Sequence, residues 1–420
     1  MTSVAGETWF QDAALQRVLT LLNAEGGEAR VAGGAVRNAL MGLAVADVDI
    51  ATTLRPEVVV ERAKEAGIKA VPTGFEHGTV TLVIDGRGFE VTTLRRDIET
   101  NGRHAVVEFG TDWKADAERR DLTINALYAD ASGEVIDLVE GLKDIESRTV
   151  RFIGDASQRI AEDHLRILRF FRFFAYYGSG RPDADGLRAC ARAKEQLSSL
   201  SAERVWTETK KLLGAPDPSR ALLWMRQAGV LTAILPETEK WGIDGIHGLV
   251  AAEQSLGWKV EPLLRLSAMV PPDGQRLEAL AKRLRLSNAD ALKLERWAST
   301  PMPPDEVTDV GFTRLLYRHA KDGMIFRLKL ALASARMAAE GDPLAMRKSA
   351  RLSQLLSMTE KYVKPSFPLS GSDVMAAGVP AGKRVGEILK ELEEFWIGRN
   401  FIPERPELTA RLADMVSEGK

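Results

Sequence analysis

The chain has 420 residues, a formal net charge of −2, and 45% hydrophobic and 28% charged residues, proportions that are ordinary for a soluble protein. This length exceeds what one hydrophobic core usually supports, so we expect two or more domains. The near-neutral charge argues against a protein that coats nucleic acid nonspecifically, and no apolar stretch is long enough to span a bilayer.

The single cysteine, Cys190, cannot form an internal disulfide and indicates a reducing compartment. The first ten residues lack the basic and apolar runs of a secretory leader. We therefore predict a cytoplasmic protein that does not associate with membranes. No obligate protein partner is evident from the sequence.

Short strand and helix patterns alternate in the N-terminal part of the chain. Apolar residues at helical spacing predict a helix over 7–23, and Pro56 begins a second one that Gly67 ends. β-prone runs bounded by turn residues predict strands over 28–31, 69–71, 79–84, 89–94, 105–109, 133–138 and 149–153.

From Ala156 onward, nearly every periodic segment is helical. The predicted fold class is therefore α+β, with a small mixed sheet in an N-terminal head, followed by an extended all-helical neck, body and tail. The predicted domains are a head over 1–154, a neck over 155–213, and a body and tail over 214–420.

A glycine pair precedes two closely spaced acids near the start of the chain. Gly33 and Gly34 permit a tight turn, and a helix that begins at Ala35 would direct its N-terminal amides at an anion, which predicts a phosphate cradle. If Asp47 and Asp49 share a strand, both carboxylates leave the same face and can share a divalent metal. Taken alone, a Gly-Gly turn is common and such acids are usually solvated charge.

Glu90 lies in the β-prone run 89–94 and could supply a third carboxylate to the same site. Three acids on neighbouring strands form an oxygen-rich site that suits Mg²⁺. Two such ions can activate an attacking hydroxyl and neutralise a leaving phosphate. The alternative for Glu90 is an exposed charge on an edge strand.

The run from Arg119 to Ala126 combines two guanidinium groups with an acid. Arg119 and Arg120 can bind phosphate in the bidentate manner of arginine, and Asp121 can accept a hydrogen bond from a ribose hydroxyl. Asp121 can equally be the N-cap of a helix over 122–127.

Arginines recur every third residue in the predicted helix 160–173. Asp163, Arg166 and Arg169 share one helix face, with Arg172 further round, and an acid beside an arginine can recognise the edge of a base. The alternative is an i,i+3 surface salt bridge between Asp163 and Arg166. Further on, Ser201 is predicted to cap a helix whose Glu203 and Arg204 brace the preceding helix.

Together these motifs resemble the class II nucleotidyltransferases, the family of CCA-adding tRNA nucleotidyltransferases and bacterial poly(A) polymerases. The similarity is dense from about residue 30 to 213 and looser near 368–375. The matching segments follow the family's order: Gly33-Gly34-Ala35-Val36-Arg37, Asp47-Val48-Asp49, Glu90 to Arg95, Arg119 to Ala126, and Glu162 to Arg169.

The resemblance implies that Asp47 and Asp49 hold a catalytic Mg²⁺ with Glu90 in support. It implies that Asp163 and Arg166 recognise the Watson-Crick edge of cytosine or adenine. The other implied nucleotide-binding residues contact the triphosphate, the ribose or the same base pocket: Gly33, Gly34, Arg37, Arg120, Asp121, Asn125, Arg169 and Arg172.

The expected activity is template-independent addition of CCA to tRNA 3′ ends from CTP and ATP, with release of pyrophosphate. The expected partner is the tRNA 3′ acceptor end, which the helical body would grip. The sequence leaves open a poly(A) polymerase, a CC-adding or A-adding specialist, and an inactive RNA-binding protein with the same fold.

Two residues depart from the family pattern. Asn38 replaces the usual Asp after Arg37, which removes a charge that could orient that arginine. Asn101 replaces an Asp that is common in the flexible loop of the family, here residues 95–104, which is linked to switching from CTP to ATP. We expect activity to survive the first change, and the second weakens the match to a complete switch.

Overall fold

The structure is a computed structural model that describes residues 2–101, 104–238, 243–339 and 342–418; for 96–101, 104–107 and 418 it describes the backbone alone. The chain divides into two compact units, Met1–Ile243 and Asp244–Lys420. No helix in the described ranges is both long enough and apolar enough to cross a bilayer.

The strands of the first unit lie between its N-terminus and residue 137. In chain order they are β1 (Ala29–Ala32), β2 (Asp49–Thr52), β3 (Lys69–Gly74), β4 (Thr79–Ile84), β5 (Arg87–Thr93), β6 (Arg95–Asn101), β7 (His104–Phe109), β8 (Leu127–Ala129) and β9 (Val135–Asp137).

From residue 156 onward, the described elements of the first unit are all helical. The helices of the whole unit are α1 (Ala13–Leu22), α2 (Gly34–Leu40), α3 (Pro56–Glu65), α4 (Trp113–Glu118), α5 (Gly141–Glu146), α6 (Ala156–Glu162), α7 (Leu165–Tyr177), α8 (Ala184–Ala193), α9 (Ala202–Leu213), α10 (Ser219–Gln227) and α11 (Val230–Ile234).

The main sheet has the strand order β3-β4-β5-β2-β1-β8-β9, and β6 pairs with β7 in a separate hairpin. Neighbours in the main sheet are antiparallel except β2 and β5, which are parallel. This confirms the predicted small mixed sheet followed by helices. The parallel pairing matters for the site because it sets Asp49 directly opposite Glu90.

Three local predictions were wrong because side chains or tertiary pairing overrode the sequence pattern. Helix α1 starts at Ala13, since the Asp12 carboxylate caps it by accepting from the amides of Ala14 and Leu15. The segment 149–153 forms only an isolated bridge, between Leu122 and Phe152. The predicted helix over 122–127 is instead a short 3₁₀ turn that leads into β8.

The predicted helix over 160–173 is broken in the middle. Asp163 has an extended backbone (φ −154°, ψ 107°), so α6 ends before it. Its carboxylate accepts from the amide of Leu165 at 3.1 Å, where α7 begins. Asp163 therefore lies at a helix junction rather than on a continuous helix face.

The second unit is described by helices α12 (Asp244–Leu256), α13 (Pro262–Met269), α14 (Gly274–Arg283), α15 (Asn288–Ser299), α16 (Asp309–Arg318), α17 (Lys321–Ala338), α18 (Pro343–Lys361), α19 (Gly371–Ala376), α20 (Lys383–Gly398) and α21 (Arg405–Glu418). One core packs α16, α17 and α18 around Phe312, Leu328 and Leu356. Another packs α19, α20 and α21 around Leu392 and Leu408.

The boundary between the two compact units follows Ile243, later in the chain than the domain boundary expected at residue 213. Helices α10 and α11 lie within the first unit, where α10 packs on α7. The division into a head over 1–154, a neck over 155–213 and a body and tail over 214–420 stays a prediction.

Candidate active site

A polar cavity of about 600 Å³ opens in the first unit, beside the carboxyl-terminal end of β1 and the start of α2 and of β2. Most of the predicted site residues line it: Gly33, Gly34, Arg37, Asp49, Arg120, Asp121, Asn125, Asp163, Arg166 and Arg169. Others that line it are Ala32, Arg95, Arg119, Glu162, Leu165, Phe173 and Arg204. Segments far apart in sequence thus share one concave surface.

Three predicted site residues do not line this cavity. Asp47 precedes β2, so the expected strand carrying both acids is wrong: β2 begins at Asp49. Glu90 lies on β5 opposite Asp49. Arg172 instead donates from Nε to Glu208 at 2.6 Å and packs over the Phe173 ring.

The carboxylates on the central strands β2 and β5, and that of Asp47 just before β2, repel one another. Burial raises the pKa of Asp49 above its ordinary value, and the charges of Glu90 and Asp47 raise it further, against an opposing effect of Arg120. Within the described residues, these three acids form no ion pair, and no three acidic, His or Cys side chains converge into a ready-made metal cluster. An oxygen-only donor set with unbalanced negative charge fits a hard divalent cation.

Arg37 is buried and held by neutral oxygens. Its Nη2 donates to the Tyr177 hydroxyl and to Asn38 Oδ1, each at 2.8 Å, and its Nη1 donates to Asn125 Oδ1. The Tyr177 ring centroid lies 4.1 Å from the guanidinium carbon. Burial lowers the pKa of Arg37, but an arginine stays protonated at neutral pH.

Gly33 is required by the backbone at the start of α2. Its φ is +66°, and a Cβ there would lie 3.1 Å from the Asn125 carbonyl oxygen. The predicted tight turn is therefore present, and the phosphate cradle stays a prediction.

Asp116, which the sequence analysis did not single out, organises the two neighbouring arginines. It is 1% exposed, accepts from Arg119 Nε at 2.8 Å and Arg120 Nη2 at 3.1 Å, and also accepts from the Tyr128 hydroxyl at 2.7 Å. Burial alone would raise the pKa of Asp116, but these arginines hold it below its ordinary value. Its position three and four residues before the arginines was the available signal.

Asp121 bridges the 119–125 segment to α7. Its Oδ2 accepts from Arg169 Nε at 2.6 Å, and its Oδ1 accepts from the Leu122 amide at 2.9 Å and from Asn125. Although burial opposes ionisation, Arg169 keeps the pKa of Asp121 low. Asp121 does not cap a helix, because Leu122 occupies that position.

Asp163 and Arg166 do not form the alternative i,i+3 salt bridge with each other in the described structure. Asp163 Oδ2 accepts from Arg204 Nη2 at 2.7 Å, which confirms that Arg204 braces the preceding segment. Arg166 donates to Glu162 and, at 2.9 Å, to the Arg159 carbonyl. Ser201 occupies the N-cap position of α9, although its side chain makes no capping hydrogen bond.

The predicted flexible loop lies partly outside the described residues. Arg95 lines the cavity, but the side chains of 96–101 and 104, including the departure at Asn101, and residues 102–103 as a whole are not described. The CTP-to-ATP switch of this loop stays a prediction.

Carboxylates on central strands lie beside an arginine-rich pocket that helices complete, an arrangement that suits a phosphate-bearing ligand. Residues 29–151 match the family described as the poly A polymerase head domain, and residues 182–241 match the probable RNA and SrmB-binding site of polymerase A.

Relatives match over nearly the whole chain. The mitochondrial CCA tRNA nucleotidyltransferase 1 of Danio rerio is 35% identical over 402 residues, covering 92% of this chain and 87% of the relative. The CCA-adding enzyme of Streptococcus sanguinis is 31% identical, covering 90% of each chain. The crystal structure of the Bacillus stearothermophilus CCA-adding enzyme with CTP has a TM-score of 0.66 at 28% identity, covering 97% of this chain and 98% of that one. The chain belongs to the CCA-adding tRNA nucleotidyltransferase family, within the class II nucleotidyltransferases.

Proposed function

We propose that this chain adds cytidine and adenosine nucleotides from CTP and ATP to the 3′ end of tRNA, forming CCA and releasing pyrophosphate. One observation carries the proposal. A single cavity is lined by the Gly33-Gly34 turn, by Asp49, and by Asp163 and Arg166, the residues that we propose to bind phosphate, metal and base. Its size of about 600 Å³ suits one nucleoside triphosphate.

The triphosphate is held by cations and backbone on one wall. Arg37 and Arg120 would bind its oxygens, while Gly33 and Gly34 allow the backbone to approach closely. Asp121 would orient the ribose through the oxygen capacity that Arg169 and Asn125 leave free. These side chains are already oriented by protein partners, which reduces the reorganisation needed when charge develops in the reaction.

The family uses divalent metal, and we propose Mg²⁺, held by Asp47 and Asp49 with support from Glu90. When bound, it would supply Lewis acidity toward the attacking 3′ hydroxyl and the leaving phosphate. Asp47, Asp49 and Glu90 would position the ion, and Asp49 must be ionised to bind it.

The choice of base would depend on Asp163 and Arg166. An Asp accepts a hydrogen bond from the exocyclic amino group of a base, and an Arg donates to its ring nitrogens and carbonyl oxygens. Asp163 and Arg166 can therefore match cytosine or adenine. Arg204 and Glu162 fix the two side chains, and Arg169 and Arg172 complete the wall through Asp121 and Glu208.

The decisive experiment supplies tRNA lacking its last three nucleotides, with Mg²⁺ and each NTP singly or in pairs. We expect CTP incorporation to stop after two residues and ATP then to add one. The matched control is tRNA that already ends in CCA, which should accept nothing. A long adenosine tail on unrelated RNA would establish the poly(A) polymerase instead, and addition limited to C or to A would establish a specialist.

We further propose that the helical segments after residue 182 bind the acceptor arm, which the match to an RNA-binding family over 182–241 supports. A cytoplasmic location is also proposed, and Cys190, buried and unpaired, is consistent with a reducing compartment. Localising the tagged full chain in cell fractions tests it.

A further inference from the structure

Asn38 stands between the nucleotide pocket and the loop that leads to the catalytic acids. It directly follows the buried residues of α2, and residues 41–48 lie between that helix and β2, which begins at Asp49. Its replacement of the usual family Asp has no explanation in the reaction as proposed. Its side-chain contacts supply one.

The oxygen of the Asn38 amide orients Arg37. Oδ1 accepts from Arg37 Nε at 3.1 Å and from Nη2 at 2.8 Å. Together with Asn125 and Tyr177, it holds the guanidinium in one plane with neutral acceptors. The charge of Arg37 is thus oriented without being neutralised by an adjacent carboxylate.

The nitrogen of the same amide holds the loop. Nδ2 donates to the Ala44 carbonyl at 2.9 Å. Backbone bonds from Met41 and Leu43 to the Asn38 carbonyl close the end of α2. Among the described residues, no other hydrogen bond fastens the segment from Ala44 to Val48 before Asp49 pairs with Ala32. Most of this segment is exposed, so packing contributes little to its placement.

An amide is the side chain that can do both. It carries an acceptor and two donors, whereas an ionised Asp accepts only and could not donate to the Ala44 carbonyl. We propose that Asn38 is a positioning residue that couples the orientation of Arg37 to the placement of the 41–48 loop, and hence of Asp47 and Asp49. Its catalytic consequence rests on the proposed function, but the coupling itself does not.

The first test is amide hydrogen exchange of the full chain without nucleotide or metal. In Asn38→Asp and Asn38→Ala, exchange of the hydrogen-bonded amides of Gly42 and Leu43 should accelerate about fivefold, the effect of losing one ordinary hydrogen bond. Tyr177→Phe is the matched control, since it removes one Arg37 acceptor and leaves the Ala44 bond intact. Exchange in β1 should be unchanged in all three. Wild-type exchange of the Gly42 and Leu43 amides in Asn38→Asp would overturn the proposal.

The second test uses kinetics to distinguish the loss of the Ala44 contact from the loss of one Arg37 acceptor. Both Asn38 variants should raise the Mg²⁺ concentration for half-maximal CTP incorporation about fivefold, while Tyr177→Phe should raise the KM for CTP and leave that Mg²⁺ concentration unchanged. Accelerated exchange with an unchanged Mg²⁺ requirement would refute the positioning role. A wild-type chain that incorporates no CTP would overturn the proposed function, and the exchange experiment, which needs no substrate, would still decide the coupling.

Discussion

Two groups of charged residues at the cavity differ in how their charges are paired. The acidic wall is Asp49 with Asp47 and Glu90 beside it, and the arginine wall is Arg119, Arg120 and Arg169 with their partner acids Asp116 and Asp121. On the acidic wall, partial loss of solvent around Asp49 and the charges of Glu90 and Asp47 raise its pKa, although the residue stays accessible, and the described structure gives these acids no ion pair. On the arginine wall, burial is offset by pairing, and the pKa values of Asp116 and Asp121 are lowered. The acidic wall keeps a repulsion between carboxylates that a cation would relieve, whereas the charges of the arginine wall are already paired.

The largest expected effect is on the acidic wall. Asp49→Ala should lower CTP incorporation about a thousandfold, as loss of a principal electrostatic group does, while tRNA binding stays nearly unchanged. Single-turnover incorporation and filter binding measure the two. Glu61→Ala, an exposed acid on α3, is the control and should leave both at wild-type values. Retained turnover in Asp49→Ala would refute the metal assignment.

On the arginine wall, the expected effect is on stability. Asp116→Asn should lower the free energy of unfolding by about 3 kcal/mol, because it leaves Arg119 and Arg120 without their buried counter-charge. Glu118→Gln, on the same helix but exposed, should cost less than about 0.5 kcal/mol. Denaturant titration measures both.

The pH dependence of that difference follows from the lowered pKa of Asp116. The stabilisation is present above the pKa of an unfolded Asp and is lost as pH falls through the lower folded value. The difference in the free energy of unfolding between wild type and Asp116→Asn should therefore become smaller as the pH falls. A difference that stays constant across that range would show that the acceptor oxygen missing from Asn, not the charge, accounts for the lost stability.

An effect of intermediate size is expected on the choice between nucleotides. Asp163→Ala and Arg166→Ala should each reduce the preference for CTP and ATP over UTP and GTP about tenfold, within the range for a lost base-edge pair. The ratio of kcat/KM values for the four NTPs gives the preference. Arg188→Ala, exposed on α8, serves as the control. If selectivity is unchanged in both variants, the two residues only bind their neighbours.

The smallest expected effect has the opposite sign to that of Asp116. Without metal, Asp49→Asn should be more stable than wild type at neutral pH by less than about 1 kcal/mol, since solvent screens an accessible acid. The raised pKa means that ionised Asp49 costs stability above that pKa, so the advantage should vanish as pH falls through it. Thermal unfolding in EDTA measures this, and added Mg²⁺ should stabilise wild type only. A destabilised Asp49→Asn would place Asp49 among the structurally paired acids.

Local sequence patterns predicted the strands and turns that depend on near neighbours. Strand β4 follows from alternation and flanking turns, and the Gly33 turn follows from the need for a positive φ. The same patterns missed β8, because a three-residue strand is specified by its pairing with β1 and β9 rather than by its own residues. They also missed the helix break at Asp163, where a side chain caps α7.

Sequence alone determined which chemical groups are available and in what order, because acids, arginines and glycines at those spacings carry their chemistry wherever they are placed. The tertiary structure decided which of them act together. Parallel pairing sets Glu90 beside Asp49, and Asp121 is held by Arg169 from a distant helix. Such pairings depend on the packing of segments far apart in the chain, which no local spacing encodes. They leave the acidic wall unpaired and the arginine wall complete.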